Sequence, residues 1–129
     1  MCIRDRHGFT GFVGSLAGRA VQPSYCYSMW YGPGARLRVH RDNALCEYSL
    51  NLVIDQQPAD PAHWPLCLVS RRGRIEEAYI RPGDALLFCG RELAHFRRRL
   101  RDQGSAIGIL FHYVHADFAG DLKAAGAYD

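Results

Sequence analysis

An all-β domain is what this sequence predicts, and three observations carry the prediction. From Tyr25 to Val114 short β-prone runs follow one another, punctuated by Gly, Pro and Asp. Two of the runs alternate with a period of two, as strands with two distinct faces do. Eight runs can be counted, and eight strands in two Greek keys make a jelly roll, here a double-stranded β-helix.

The elements follow in order. Tyr25 to Tyr31 is aromatic and β-prone, and Gly32-Pro33-Gly34 turns the chain. Ala35 to His40 alternates, with Leu37 and Val39 on one face and Arg36, Arg38 and His40 on the other. Tyr48 to Ile54 sets Tyr48, Leu50, Leu52 and Ile54 against Ser49, Asn51 and Val53. Asp55 to Pro65 carries Pro58, Pro61 and Pro65 and reads as a surface loop. Leu66 to Ser70 and Ile75 to Ile80 flank Arg72-Gly73-Arg74, a hairpin turn. Arg81-Pro82-Gly83-Asp84 turns into Ala85 to Cys89, a continuous apolar run that reads as a strand buried on both sides. Gly90 breaks it, and Ala94 to Arg97 and Ile107 to Val114 complete the eight. Trp30 and Tyr27 are expected in the core, with Cys89 a small apolar filler.

With 129 residues there is room for one domain, expected over residues 25–115 and followed by an Ala- and Gly-rich tail, residues 116–129, of frayed helix or coil. Hydrophobic content of 48% with 22% charged residues excludes disordered, collagen-like and coiled-coil classes. A formal charge of +3 is mild, and Arg97, Arg98, Arg99 and Arg101 read as a solvated strand edge rather than a nucleic-acid footprint. Five cysteines, with no C-x-x-C pair, indicate neither a zinc ribbon nor a complete disulfide framework, and a reducing, cytoplasmic setting is expected. No apolar run reaches the roughly 18 residues of a membrane span, and no signal peptide is visible. Met1-Cys2-Ile3-Arg4-Asp5-Arg6 looks like translated adapter read-through, so residues 1–24, which show no helix or strand start signal, are set apart as truncated or artefactual sequence.

His40, Asp42 and His95 carry the chemistry. His40 and Asp42 are two apart, so a strand continuing through Asp42 sends both side chains from one face, and His95 can join them from a distant strand. Two imidazoles and one carboxylate on one face of an octahedral Fe(II) leave three positions for a bidentate cosubstrate and O2.

The stretch Trp30-Tyr31-Gly32-Pro33-Gly34-Ala35-Arg36-Leu37-Arg38-Val39-His40-Arg41-Asp42 and the later Pro82-Gly83-Asp84-Ala85-Leu86-Leu87-Phe88-Cys89-Gly90-Arg91-Glu92-Leu93-Ala94-His95 resemble the 2-oxoglutarate/Fe(II) dioxygenase superfamily, on its prolyl-hydroxylase-like side. The resemblance implies that His40, Asp42 and His95 are the iron ligands and catalytic centre. It also implies that Tyr31 lies beside the cosubstrate and that Ser49 and Asn51 line the same cavity. The implied activity hydroxylates an unidentified small-molecule or peptide substrate, with oxidative decarboxylation of 2-oxoglutarate to succinate and CO2. Gln57 to Pro65 and Arg41 to Glu47 are expected to border the mouth; no nucleic-acid or membrane partner and no oligomeric state is indicated.

One departure stands out. The family carries an Arg or Lys at the start of the last strand to pair with the far carboxylate of 2-oxoglutarate, and here that stretch reads Gln103-Gly104-Ser105-Ala106-Ile107-Gly108. A second carboxylate in a partly dry pocket without a counter-charge is costly. By strand parity Arg97, two after His95, is the first substitute, Arg38, two before His40, the second, and Arg99 the third. His112 reads as a hydrogen-bonded core histidine or as a contact near the metal. The departure keeps an alternative open, a cupin-like metal-binding protein or metalloenzyme that holds Mn, Ni or Zn on the same ligands without 2-oxoglutarate. A non-catalytic β-sandwich interaction module is the third reading.

Overall fold

Eight strands pair as two four-stranded antiparallel sheets in this computed structural model, which describes residues 8–122. In chain order they are β1 (Val21–Tyr31), β2 (Leu37–His40), β3 (Tyr48–Gln57), β4 (Leu66–Val69), β5 (Ile75–Ala78), β6 (Ala85–Phe88), β7 (His95–Arg97) and β8 (Ser105–His115). One sheet runs β1-β8-β3-β6 and the other β2-β7-β4-β5, the strand order of an eight-stranded jelly roll. Among the described residues only β4 and β5 are chain neighbours that also pair, across a turn in which Gly73 (φ +75°) takes the left-handed conformation. Every other pairing joins an early strand to a late one, which sets β2 against β7 and His40 opposite His95.

β3 explains where the core lies. On its outer face Leu50, with Leu52 partly buried beside it, packs with Phe111 and Tyr113 of β8 beneath a short helix, α1 (Thr10–Ala17). Phe9, Val13 and Ala17, spaced by four, form the helical stripe that covers this face, with Phe9 edge-on to Phe111 at 5.2 Å. On the inner face Val53 joins Leu66, Ile80 and Phe88, and a separate cluster holds Trp64, Leu100 and Ala106 with Tyr31. The remaining inner positions are polar, with Ser49, Asn51, Gln56, His95, Arg97 and His112 all buried. Buried polar groups cost free energy unless they are partnered, so this interior is a place to look for function.

Several expectations are corrected. β1 begins at Val21, four residues before Tyr25, and residues 10–17 form a helix. That helix had no start signal because its N-cap, Phe9, makes no side-chain capping bond; tertiary contact holds it, as so short a helix requires. The apolar run Ala85 to Phe88 is an edge strand with only Phe88 buried. Alternation in β3 ends at a register shift between Val53 and Asp55, leaving Ile54 exposed. Trp30, 69% exposed, and Tyr27, 40% exposed, are not core residues, because both sit on β1, an edge strand. Of the basic run, Arg97 turns inward, whereas Arg98 pairs with Glu77 and Arg99 with Asp102. Cys26, Cys46, Cys67 and Cys89 are free thiols. No helix among the described residues is long and apolar enough to cross a membrane. The Met1 to Arg6 segment and the end of the tail lie outside the described residues.

Candidate metal centre

His40 ends β2 and faces His95 at the start of β7, with ring centroids 4.3 Å apart. β2 does not continue through Asp42 as the spacing suggested. Instead the Asp42 N–H donates to the Gly90 carbonyl at 2.9 Å, which turns the carboxylate towards the two imidazoles. Asp42 Oδ1 then lies 3.3 Å from His40 Nε2 and 3.4 Å from His95 Nε2. Octahedral neighbours on an ion with bonds of about 2.1 Å are about 3.0 Å apart, so the three donors need only small shifts to share a cation.

The second nitrogen of each ring fixes this arrangement. His40 donates from Nδ1 to the Arg38 carbonyl and His95 from Nδ1 to the Leu93 carbonyl, both at 2.8 Å. Each bond reaches the residue two before and orients the ring so that Nε2 faces Asp42. Ser49 Oγ donates to Asp42 Oδ2 at 3.2 Å and lies 2.9 Å from Nδ1 of His112, holding the back of the carboxylate. Burial pushes the Asp42 carboxyl up, but the hydrogen bond to His95 and the charges of His95, His112 and His40 outweigh it and hold the group below its usual range. His95 is buried and His40 half-buried, so the donors open to one side.

Gly90 is required by contact, not by its own dihedral angles. A Cβ there would run into Asp42 Oδ2 and Ser49 Oγ. Gly90→Ala is therefore expected to displace the carboxylate and lower metal affinity roughly 10- to 100-fold while the sheets stay folded. Calorimetric Co(II) titration beside circular dichroism checks this; unchanged affinity would contradict it.

One residue pair further along the interior lies a small pocket lined in part by Tyr31, Asn51, Gln56, Trp64 and Arg97. Asn51 stands two residues beyond Ser49 on β3, and Arg97 two beyond His95 on β7. The Arg97 side chain, 7% exposed, donates from Nη1 to the Trp64 carbonyl at 2.6 Å and lies 4.5 Å over the Trp64 ring. No carboxylate pairs with it among the described residues. Burial pulls its pKa down to about 10, so it keeps its charge at neutral pH. Tyr31 stacks edge-on against Trp64 at 4.9 Å, and burial raises its phenol pKa against the opposing pull of Arg97.

His112 is buried to 2% exposure between Ser49 and Tyr25, whose ring lies 4.6 Å away, and its Nε2 has no partner. Burial drives its pKa down from 6.5 to about 4, against the opposing pull of Asp42. The unfolded chain therefore binds more protons between these values, and stability falls as pH falls through this window. The loss is expected to reach about 3 kcal/mol at most. Urea unfolding at pH 7 and pH 5 tests it, since His112→Asn should lose less than the native chain; equal losses would contradict it.

The structure thus brings His40, Asp42 and His95 together, and separately Tyr31, Asn51 and Arg97. Ser49 stands behind Asp42 rather than among the cavity-lining residues. Arg38 is exposed, because a register shift between Leu37 and His40 puts Leu37, not Arg38, opposite Arg97. Gly90, Trp64 and Gln56 were not foreseen as site residues. Trp64 had a signal, since an indole inside a proline-rich loop is costly to leave in water.

No family model matches the chain, and no curated protein does. Solved structures do match. AviO1 from Streptomyces viridochromogenes Tue57 matches with a TM-score of 0.74 at 16% identity, over 90% of this chain and 61% of that one. Apo HygX from Streptomyces hygroscopicus gives 0.61 at 16%, over 78% and 61%. A Pseudomonas putida prolyl-4-hydroxylase gives 0.55 at 20%, over 75% and 52%. The chain therefore spans no more than 61% of the length of these proteins. What the likeness establishes is the fold: the chain has their all-β, two-sheet antiparallel architecture.

Proposed function

We propose that the chain is the core of an Fe(II)- and 2-oxoglutarate-dependent dioxygenase. It hydroxylates a small-molecule or peptide substrate and converts 2-oxoglutarate and O2 to succinate and CO2. The observation that carries this reading is that His95, whose ring clusters with His40 and Asp42, and the buried, charged Arg97 guanidinium sit two residues apart on β7. At about 3.3 Å per residue they are separated by about 6.6 Å along the strand, a span suited to a five-carbon diacid whose near end reaches the metal. A prolyl-4-hydroxylase shares the fold, which supports the reaction class.

Each residue then has a task. His40 and His95 through Nε2, with Asp42 through Oδ1, would hold the iron. Bound there, Fe(II) supplies Lewis acidity and a redox partner for O2 and the 2-oxo acid. Arg97 pairs with the far carboxylate, its guanidinium plane set by the Trp64 ring beneath it. Asn51 and Tyr31 offer further polar atoms to that end, while Met29, Val53 and Ala106 exclude water. Gly108 also lines the pocket, and a Cβ there would press on the Leu52 carbonyl. Ser49 fixes Asp42 Oδ2, so that Oδ1 faces the two imidazoles.

The second reading, a metalloprotein that does not use 2-oxoglutarate, is favoured by one fact: Arg97 already has the Trp64 carbonyl and ring as partners. Succinate formation separates the two. The first reading predicts succinate from 2-oxoglutarate that requires Fe(II) and O2 and is lost in His95→Ala. Intact metal binding with no succinate would favour the second.

A further inference from the structure

Asp42 has a second set of neighbours. Oδ1 faces His40 and His95, while on the other side Cys46 and His112 approach the same carboxylate. Donor atoms of Asp42, Cys46 and His112 lie within 4.8 Å of one another, and both Cys46 and His112 are buried. Cys46 belongs to the segment between β2 and β3, which is fixed locally. Its N–H donates to the Asn43 carbonyl at 3.1 Å and its carbonyl accepts from Arg91 N–H at 2.9 Å. His112 stands on the inner face of β8, directly opposite Ser49.

Two independent features point to a ligand here. His112 Nε2 is buried and has no hydrogen-bond partner, although such atoms are almost always satisfied in native interiors. The Cys46 sulfur, 3.0 Å from the Tyr25 hydroxyl and 3.6 Å from Asn43 Oδ1, is a soft donor within reach of the same carboxylate; burial and the Asp42 charge push the free thiol up to about 11, so an ion binds there by displacing its proton.

We propose that Asp42, Cys46 and His112 form a second metal site, which takes a soft divalent ion of the zinc class and shares Asp42 with the histidine pair. Thiolate, imidazole and carboxylate are a donor set that Zn(II) accepts tetrahedrally, with water as the fourth ligand. Tetrahedral donors lie about 3.3 to 3.8 Å apart, so the three side chains close on an ion with shifts of about 1 Å. Binding forms a sulfur–metal bond and releases the thiol proton to solvent, with no change of oxidation state. Because the two sites share one carboxylate, an ion in the second weakens the hold of His40 and His95 on theirs. The site is independent of whether the first one serves an oxygenase.

Co(II) titration of the metal-free protein tests this through the near-ultraviolet band of a thiolate-bound cobalt ion. The band is expected in the native chain, should persist with one equivalent in the His40→Ala/His95→Ala variant, and should be lost in Cys46→Ser. Its absence from the native chain, its survival in Cys46→Ser or its loss in His40→Ala/His95→Ala would each overturn the proposal. Should Cys46→Ser fail to fold by circular dichroism, alkylation of the native chain decides. Zn(II) should protect Cys46 selectively, and protection of no thiol or of a different one would refute the site.

Discussion

Asp42→Ala abolishes metal binding at the histidine pair, with Fe(II) affinity falling at least about 100-fold. The carboxylate is the one anionic donor between His40 and His95, and its Oδ1 is the atom both Nε2 atoms face, at 3.3 and 3.4 Å. Without it the two imidazoles lose the charge that offsets a dication. The fold should survive, because the Asp42–Gly90 bond is made by the backbone. Leaving His95 Nε2 unpaired costs about 1 to 3 kcal/mol. Asp42→Asn separates charge from shape, since it keeps the volume and a partner for Ser49 yet should bind Fe(II) almost as poorly. Anaerobic calorimetry with Fe(II), beside thermal unfolding of the metal-free variants, provides the check. Affinity in Asp42→Asn close to the native value would show that charge is not the deciding quantity.

Arg97→Met removes 2-oxoglutarate binding, at least about 100-fold, and leaves metal affinity unchanged. Among the described residues no carboxylate pairs with this buried guanidinium, so a diacid entering the pocket would meet a charge that water no longer screens. Methionine of similar length still covers the Trp64 ring, and replacing a buried charge by an apolar side chain often costs little stability. Arg97→Lys should not restore full binding, because a point charge cannot reproduce the planar fork. Arg38→Ala should change neither quantity, since Arg38 is exposed on β2. Equilibrium binding of 2-oxoglutarate with Mn(II) in place of iron measures both effects. Normal binding in Arg97→Met would remove the cavity from the account.

The number of strands was legible because Gly and Pro punctuate the chain where turns form, as at Gly73 and Gly83, both left-handed. The two faces of β3 were legible as well, because Ser49, Asn51 and Val53 obey strict alternation up to the register shift. Where pairing slips, parity fails. The shift between Leu37 and His40 is why Arg38 was read as a neighbour of the site and is not. The helix at Thr10–Ala17 was invisible because its stability comes from Phe111 and Leu50 rather than from caps. The three side chains that converge at the candidate metal centre were readable by residue type. Gly90 and Trp64 were not, because one acts by lacking a side chain and the other through its carbonyl and ring.

The central claim is that His40, Asp42 and His95 hold one Fe(II) with adjacent positions free for 2-oxoglutarate. Anaerobic titration followed by visible absorption tests it directly, through the metal-to-ligand charge-transfer band of an iron-bound 2-oxo acid. The account predicts a band that needs both Fe(II) and 2-oxoglutarate, saturates at one iron per chain and is absent from His95→Ala. A chain that binds iron without developing the band, or a band that persists in His95→Ala, would contradict it.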